Sequence, residues 1–134
     1  MNIKSIEASE TWQIRHEVMW PDQPFEFVQL EEDNSGLHFG VYDHHKLVSI
    51  VSCFISDSQM QFRKLATLEE YQGKGIASEL LMHIFKLAKE QKLQKIWCNA
   101  RTNKKQFYEK FGMADTHKTF TKEGQKFTIM EVSL

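Results

Sequence analysis

The stretch QGKGIA at residues 72–77 decides how this chain folds, because of the segments that flank it. Residues 60–67 before it, MQFRKLAT, are typical of a strand, and residues 78–91 after it form a strongly amphipathic helical pattern. A glycine-rich turn between a strand and a helix leaves backbone N–H groups unpaired at the positive end of the helix dipole. The sequence therefore predicts a phosphate-binding turn, to which Lys74 adds a mobile positive charge.

Two common phosphate-binding motifs do not fit this turn. A Walker loop requires G-x-x-x-x-G-K-[ST], but the only Gly-Lys pair, Gly73-Lys74, is followed by Gly75 and has no glycine at the upstream position. A dinucleotide fingerprint requires G-x-G-x-x-G, and Ser78 stands where its third glycine should be. The turn is therefore not predicted to bind ATP or a dinucleotide.

The turn instead resembles the Q/R-x-x-G-x-G/A signature of the GCN5-related N-acetyltransferases (GNAT), matched by Gln72, Gly75 and Ala77. A second stretch, FYEKFGM at residues 107–113, is similar to that family's F-Y-x-K-x-G-F box. A strand-sized segment separates the two matches, and they stand in the family's order. The chain is thus identified as a member of the family, and RHEV followed by WP at residues 15–21 resembles its small ElaA-like bacterial subgroup.

The predicted elements follow the order of that family's mixed α/β fold. The patterns predict seven strands, at residues 2–8, 37–42, 47–56, 59–67, 95–100, 113–121 and 125–132. They predict helices at residues 9–20, 74–91 and 103–111, with a further short helix inside 21–34. The resemblance implies a single domain over 1–134, with a sheet of about seven strands, about four helices and a splay between strands 4 and 5.

The resemblance implies acetyl-coenzyme A as the co-substrate. Its pantetheine would lie along Leu65, Ala66 and Thr67, and the backbone N–H of Leu65 would polarise the thioester carbonyl. The residues implied to hold the pyrophosphate are Gln72, Gly73, Lys74, Gly75, Ile76 and Ala77. Asn99 and Asn103 are candidates for hydrogen bonds to the pantetheine amides, although the family's usual asparagine, seven residues before the tyrosine, is Arg101 here.

Tyr108 is the candidate general acid, because the family's tyrosine lies beside the thioester sulfur. A phenol with a pKa of about 10 is protonated at neutral pH and can donate to a departing thiolate. The alternative is a tyrosine that only packs on the sheet. No residue is assigned as the base that accepts the amine proton. The candidates for this base are His38, Arg63, Glu69, Glu70 and His83.

The acceptor site is expected in the first helix and the connection after it, at Arg15, His16, Trp20, Asp22, Phe25 and Glu26. Arg15 is expected to pair either with an acidic substrate or with a neighbouring carboxylate. The aromatic residues would form either a cage for an amine or the core of a lid. The acidic run at residues 31–33 is interpreted as a solvated loop.

Composition excludes several other classes of protein. The net charge is −1, without a block of like charges, so a nucleic-acid binder is not expected. No signal-peptide core or membrane-length apolar run is present, which favours a cytoplasmic protein without membrane contact. Cys53 and Cys98 are expected as reduced, buried residues, the alternative being a nucleophilic Cys98. No metal site is predicted.

These observations predict direct transfer of the acetyl group of acetyl-coenzyme A to a primary amine of a small molecule or peptide. An acyl-enzyme is not expected, because no activated nucleophile is visible. The alternatives are a non-catalytic module that binds and senses acyl-coenzyme A and, less favoured, a nucleotide-binding domain. Exposed edges at the closing hairpin are consistent with a homodimer.

Overall fold

The computed structural model describes residues 1–134 and contains one seven-stranded sheet with the strand order β1-β2-β3-β4-β5-β7-β6. The strands are β1 (Asn2–Ile6), β2 (Leu37–Asp43), β3 (Lys46–Ser56), β4 (Gln59–Thr67), β5 (Lys95–Arg101), β6 (Ala114–Lys122) and β7 (Gln125–Ser133). The α-helices are α1 (Ala8–Ile14), α2 (Ile76–Glu90) and α3 (Lys105–Glu109). The predicted mixed α/β fold is confirmed. The chain divides into two compact units, which are described separately below.

The first unit comprises residues 1–54 and 62–87. In it β1, β2 and β3 pair antiparallel, for example Ile3 with Val41 and Gly40 with Ile50. The predicted apolar stripe of α2 is confirmed, because most of its residues are buried while the opposite face is largely exposed. The buried members in this unit are Ile76, Leu80, Leu81 and Ile84, and Leu87 is partly exposed. Each such side chain stabilises the fold by roughly 1.5–3 kcal/mol.

The second unit comprises residues 55–61 and 88–134. The start of β4 pairs parallel to β5 over three residue pairs, from Gln59–Lys95 to Gln61–Trp97. β5 pairs antiparallel with β7, and β7 with β6. The predicted closing hairpin is confirmed, and its two-residue turn has positive φ at Glu123 and Gly124, as the right-handed twist of a hairpin favours.

The first helix begins earlier than residue 9, where the sequence pattern predicts its start. The N-cap is Glu7, whose backbone N–H donates to the Glu10 carboxylate at 2.7 Å. Because Glu10 stands three residues after Glu7, this pair forms the reciprocal half of a capping box. The helix widens into a π-helix at Arg15–Met19 and ends at Trp20, before Pro21 as predicted.

The structure contains three α-helices, in agreement with the expected fold, and several shorter helical turns. The predicted short helix inside 21–34 consists of two 3-10 turns, Phe25–Val28 and Glu31–Ser35. The predicted helix at 103–111 is a 3-10 turn, Thr102–Lys104, followed by the short α3. Single turns of this length cannot offset the cost of nucleating an α-helix. None of the helices combines the length and apolarity that crossing a bilayer requires.

Candidate functional site

A residue with positive φ interrupts the regular backbone of β4 immediately before Leu65. Lys64 has φ +59°, which is unusual for a residue with a side chain and marks a local kink in the strand. Beyond the kink, the Ser49 hydroxyl donates to the Ala66 carbonyl at 3.0 Å, and the Leu68 N–H donates to the Val48 carbonyl at 2.9 Å. The end of β4 is therefore held by β3, while the kink changes the direction of the backbone at Leu65.

The segment between β4 and the glycine turn is fixed by local hydrogen bonds. The Tyr71 N–H donates to the Leu68 carbonyl at 2.9 Å, and the Gln72 N–H donates to the Glu69 carbonyl at 3.1 Å. The Gln72 side-chain amide reaches back to the Thr67 carbonyl at 2.9 Å. Gln72 thus stabilises the segment that leads into the glycine turn by bonding to the backbone of β4.

The turn itself presents open backbone. Gly73 and Gly75 have φ of +77° and +81°, and a Cβ added at either position would meet no atom within 4 Å. The N–H groups of residues 73–78 donate to no atom of the chain, and the first bond into α2 runs from Glu79 N–H to the Gly75 carbonyl at 3.1 Å. A row of unpaired N–H groups at a helix start, with free space above it, is an arrangement that can bind phosphate groups.

Lys74 lies beside a tyrosine whose role the sequence analysis did not identify. Its ammonium stands 5.4 Å from the centre of the Tyr71 ring, and the Tyr71 hydroxyl donates to Asp43 at 2.8 Å. This hydrogen bond raises the pKa of Tyr71. The only sequence signal was an aromatic residue directly before Gln72, and its partner Asp43 is distant in the chain.

Tyr108 lies in α3 of the second unit. Burial raises the pKa of its phenol, the neighbouring Cys98 adds to the increase, and the Arg101 guanidinium opposes it. The phenol is therefore protonated throughout the neutral pH range. Its ring contacts Phe107 edge to face, with centroids 5.2 Å apart. These properties match the protonation state that a general acid requires.

The other predicted residues of the second unit differ in exposure. Asn99 is an exposed residue of β5, and Asn103 is exposed in the 3-10 turn before α3. Arg101, at the end of β5, is half-buried, and burial lowers its pKa. Asn99 and Asn103 are thus open to solvent in this unit, as a residue that binds a ligand must be.

The two cysteines are not reactive in this fold. Cys53 and Cys98 are free thiols with no more than 2% of their surface exposed. Burial raises the pKa of each thiol to about 12, so neither forms a thiolate at neutral pH. Their interpretation as buried, reduced residues is confirmed, and the nucleophilic alternative for Cys98 lacks the required ionisation.

Arg15 pairs with a neighbouring carboxylate. It is fully buried, and its guanidinium bonds both oxygens of Asp33 at 2.9 and 3.0 Å. Two further bonds reach the Val28 carbonyl at 2.9 Å and the Ser52 hydroxyl at 2.8 Å. Burial opposes ionisation of Asp33, but the hydrogen bonds from Arg15 and Trp12 hold its pKa below the usual value. The interpretation of Asp33 as part of a solvated loop is wrong, because it is only 3% exposed.

The aromatic residues expected at the acceptor side divide into buried and open ones. Trp20 is 7% exposed and packs edge-on against Phe27, with the Lys64 ammonium 5.9 Å above its ring. Phe25 is 43% exposed, and its ring packs edge to face with the His16 imidazole, with centroids 5.7 Å apart. The His16 Nε2 pairs with the Gln23 carbonyl at 2.7 Å. Trp20 therefore belongs to the core, and Phe25 is the residue free to contact a ligand. Asp22 and Glu26 are exposed.

The histidines considered as bases are engaged in structural contacts. The Ser52 hydroxyl accepts from Arg15, so its proton is directed to Nδ1 of His38 at 2.7 Å. The Nε2–H of His38 then donates to the Asp33 carbonyl at 2.8 Å, and the ring has no nitrogen left to accept a proton from an amine. The His83 ring packs on Phe39.

Two of the three charged candidates for the base form ion pairs within the chain. Arg63 pairs with Glu32 at 2.7 Å, and Glu70 pairs with Lys46 at 3.1 Å. A hydrogen bond from its own backbone N–H, together with the bond from Lys46, lowers the pKa of Glu70. Glu69 is exposed in the 3-10 turn before Gln72. None of these contacts identifies a base. No group of three or more His, Cys, Asp or Glu residues is arranged to hold a metal ion.

Comparison with known families and proteins gives a consistent assignment. The family described as "Acetyltransferase (GNAT) domain" matches residues 7–134. An uncharacterized N-acetyltransferase of Bacillus subtilis, YitI, is 32% identical over 130 residues, which cover 90% of this chain and 87% of that protein.

Solved structures share the fold at low sequence identity. Escherichia coli ElaA is 14% identical with a TM-score of 0.82, covering 98% of this chain and 99% of that one. A GNAT family acetyltransferase from Elizabethkingia anophelis, solved with acetyl-CoA bound, is 15% identical with a TM-score of 0.79, covering 99% and 97%. At these identities the likeness concerns the fold alone.

Proposed function

The chain belongs to the GNAT acetyltransferase family, and we propose that it transfers the acetyl group of acetyl-coenzyme A directly to a primary amine of a small molecule or peptide. The observation that carries this proposal is the row of unpaired backbone N–H groups at residues 73–78, which fits a pyrophosphate. The transferase class follows from the family. The acetyl group and the primary amine are the part that we propose.

We propose that the first unit binds the co-substrate with its backbone. The N–H groups from Gly73 to Ala77 would hold the pyrophosphate, and Lys74 would add its positive charge. The pantetheine would lie along Leu65, Ala66 and Thr67, and Asn99 and Asn103 of the second unit would donate to its amides. The open space above Gly73 and Gly75 supports this assignment, because a larger residue there would obstruct an approaching phosphate.

Acetyl-coenzyme A supplies an activated thioester carbonyl when it is bound. The backbone N–H of Leu65 would donate to the carbonyl oxygen as negative charge develops there. The kink at Lys64 supports this role, because its positive φ departs from regular strand geometry immediately before Leu65. Such an N–H is fixed by the fold and needs no reorganisation during the reaction.

Tyr108 would donate the proton that the leaving sulfur requires. As the new N–C bond forms and the C–S bond breaks, the phenolic O–H would protonate the departing thiolate. The amine must lose a proton in the same reaction, and we assign no residue to accept it. Direct transfer is supported by the chemistry of the two cysteines, whose thiols remain protonated at neutral pH.

We propose that the acceptor contacts the exposed Phe25 and its partly exposed neighbour His16 in the first unit. We propose that the protein acts in the cytoplasm. The outer edge of β6, the last strand of the sheet, has no neighbouring strand and supports the proposal of a homodimer. A monomer mass in light scattering would exclude that dimer.

Substitution Tyr108→Phe tests the proposal. Because a general acid contributes roughly 10²–10⁴-fold to rate, turnover with a saturating amine should fall by about a hundredfold or more. The affinity for coenzyme A, measured by calorimetry, should stay unchanged, because the ring remains. Tyr42→Phe, which removes a hydroxyl in β2, is the matched control and should keep full turnover.

Two outcomes would contradict parts of the proposal. If Tyr108→Phe retains its turnover, the tyrosine is not the acid. If the wild-type protein binds coenzyme A but releases no thiol with any amine in a broad screen, the non-catalytic sensing module becomes the better description.

A further inference from the structure

Two lysine ammonium groups lie over the ring of Tyr71, and their charges are used differently. Lys46 Nζ is 5.6 Å from the ring centre, and Lys74 Nζ is 5.4 Å from it. Lys46 also pairs with the Glu70 carboxylate at 3.1 Å. Lys74 has no carboxylate within 4 Å. The ring therefore contacts one cation whose charge is neutralised by a neighbour and one whose charge is available.

The ring is held in place from both ends. Its hydroxyl donates to Asp43 at 2.8 Å, and its backbone N–H donates to the Leu68 carbonyl at 2.9 Å. The next residue, Gln72, is fixed by its side-chain bond to Thr67 at 2.9 Å. Tyr71 is thus a rigid surface next to a turn whose own backbone N–H groups have no partner.

Lys74 would otherwise be a freely moving side chain. It is exposed, it sits between two glycines with positive φ, and lysine loses much rotamer entropy when it is ordered. A cation over an aromatic face is attracted weakly at an exposed site, which limits its motion without removing its charge. The N–H groups that point away from the ring remain able to donate to an anion.

We propose that Tyr71 is a positioning residue for co-substrate binding: its ring holds the Lys74 ammonium beside the open turn, so that the charge is already in place when the pyrophosphate of coenzyme A arrives. Preorganisation of this kind raises affinity by reducing the ordering that binding requires. Asp43 contributes indirectly, because it accepts the hydrogen bond that orients the Tyr71 ring. The inference rests on the proposed function of the turn and adds residues outside the glycine signature.

A double-mutant cycle between Tyr71 and Lys74 tests the inference. Coenzyme A is titrated calorimetrically into the wild type, Tyr71→Met, Lys74→Met and the double variant. Tyr71→Met should weaken binding by about twofold to fivefold, the strength of an exposed cation–π contact. Lys74→Met should weaken it by roughly tenfold or more, as expected for a lost charge-assisted bond. The double variant should bind no more weakly than Lys74→Met alone.

The chain offers matched controls. Tyr71→Phe keeps the ring and should restore affinity close to that of the wild type. Lys46→Met removes the other cation over the same ring. The drop in coenzyme A affinity caused by Tyr71→Met should be equally large in a protein that already carries Lys46→Met. Asp43→Asn leaves the ring in place but weakens its anchoring, so it should show part of the loss, and only while Lys74 is present.

Several results would overturn the inference. One such result is that Tyr71→Met binds coenzyme A as tightly as the wild type, or more tightly. Another is that the affinity lost through Tyr71→Met is lost in full in the Lys74→Met background as well, which would indicate general damage to the turn. The affinity for coenzyme A should depend less on salt concentration in Lys74→Met than in the wild type, because the variant lacks one positive charge at the turn. If the wild type itself fails to bind coenzyme A, the proposed function falls too, whereas normal wild-type binding without coupling overturns this inference alone.

Discussion

The glycine turn at residues 73–78 and the helix-to-strand connection at residues 15–33 are both rich in polar groups, but they use them in opposite ways. In the turn, the backbone N–H groups have no partner and the space above them is open. In the connection, the guanidinium of Arg15 is buried and bonded to Asp33, Val28 and Ser52. Polar groups that the fold leaves unsatisfied indicate a ligand, and those that it satisfies internally indicate a structural role.

The largest effect is expected from Arg15→Met, which breaks the buried pair and leaves the Asp33 carboxylate without its partner. The free energy of unfolding should fall by about 3–5 kcal/mol, because an uncompensated buried charge is costly. Denaturation by urea at neutral pH measures this change. Lys46→Met breaks the exposed pair with Glu70 and should alter stability little, since solvent screens that pair. A loss for Arg15→Met as small as that of the control would contradict a structural role for Arg15.

The second effect is the pH dependence of the stability that is lost in the variant Asp33→Asn. The pKa of Asp33 is lowered in the folded state, so its stabilising contribution is present above a pH of about 4 and is lost as the pH falls through the folded value. Asp33→Asn should therefore be much less stable than the wild type at pH 7, and the difference should shrink as the pH falls below 4. Asp115, whose pKa is lowered to about 2, titrates in both proteins and cancels in the comparison.

Denaturation curves for the two proteins at a series of pH values measure that difference. A stability difference between wild type and Asp33→Asn that stays constant down to the acid limit would show that the carboxylate charge does not stabilise the connection.

The third effect compares two glycines with the same backbone conformation. Gly75 and Gly124 have φ of +81° and +77°, and a Cβ at either would meet no atom of the chain. Replacing each by alanine should cost about 1–2 kcal/mol of stability, the strain of a left-handed backbone. Only Gly75→Ala should also lose affinity for coenzyme A, by about tenfold or more, because its Cβ enters the space over the turn. Equal affinities in the two variants would show that this space is not used by the ligand.

The parts of the fold that could be predicted depend on local patterns. The apolar stripe of α2, the closing hairpin and the bounds of the strands after β1, to within one residue, follow from periodicity and turn residues within a few positions. The first strand was predicted at residues 2–8 but ends at Ile6, because the chain enters α1 at Ala8. The failures involve residues distant in sequence. Asp33 is eighteen positions from Arg15, and no local pattern shows that the chain brings these two side chains together in the core. The helix start at Glu7 was missed because glutamate is a weak capping residue beside Ser9.

The candidate site shows the same division. The glycines of the turn could be identified because only glycine readily adopts the positive φ that the turn needs. Tyr71 was missed as a functional candidate, because its position beside Lys74 depends on Asp43, a residue from the β2–β3 hairpin. His38 was considered as a base from its strand position, but its ring is used between Ser52 and Asp33 in the folded chain.

Calorimetric titration of the wild-type protein with acetyl-coenzyme A, run beside coenzyme A and ATP, tests the central claim most directly. The unpaired N–H groups of residues 73–78, with Lys74 beside them, predict micromolar binding of both coenzyme A species and no comparable binding of ATP. Absence of binding by acetyl-coenzyme A and coenzyme A would contradict the account, because the turn would then be only the start of a helix.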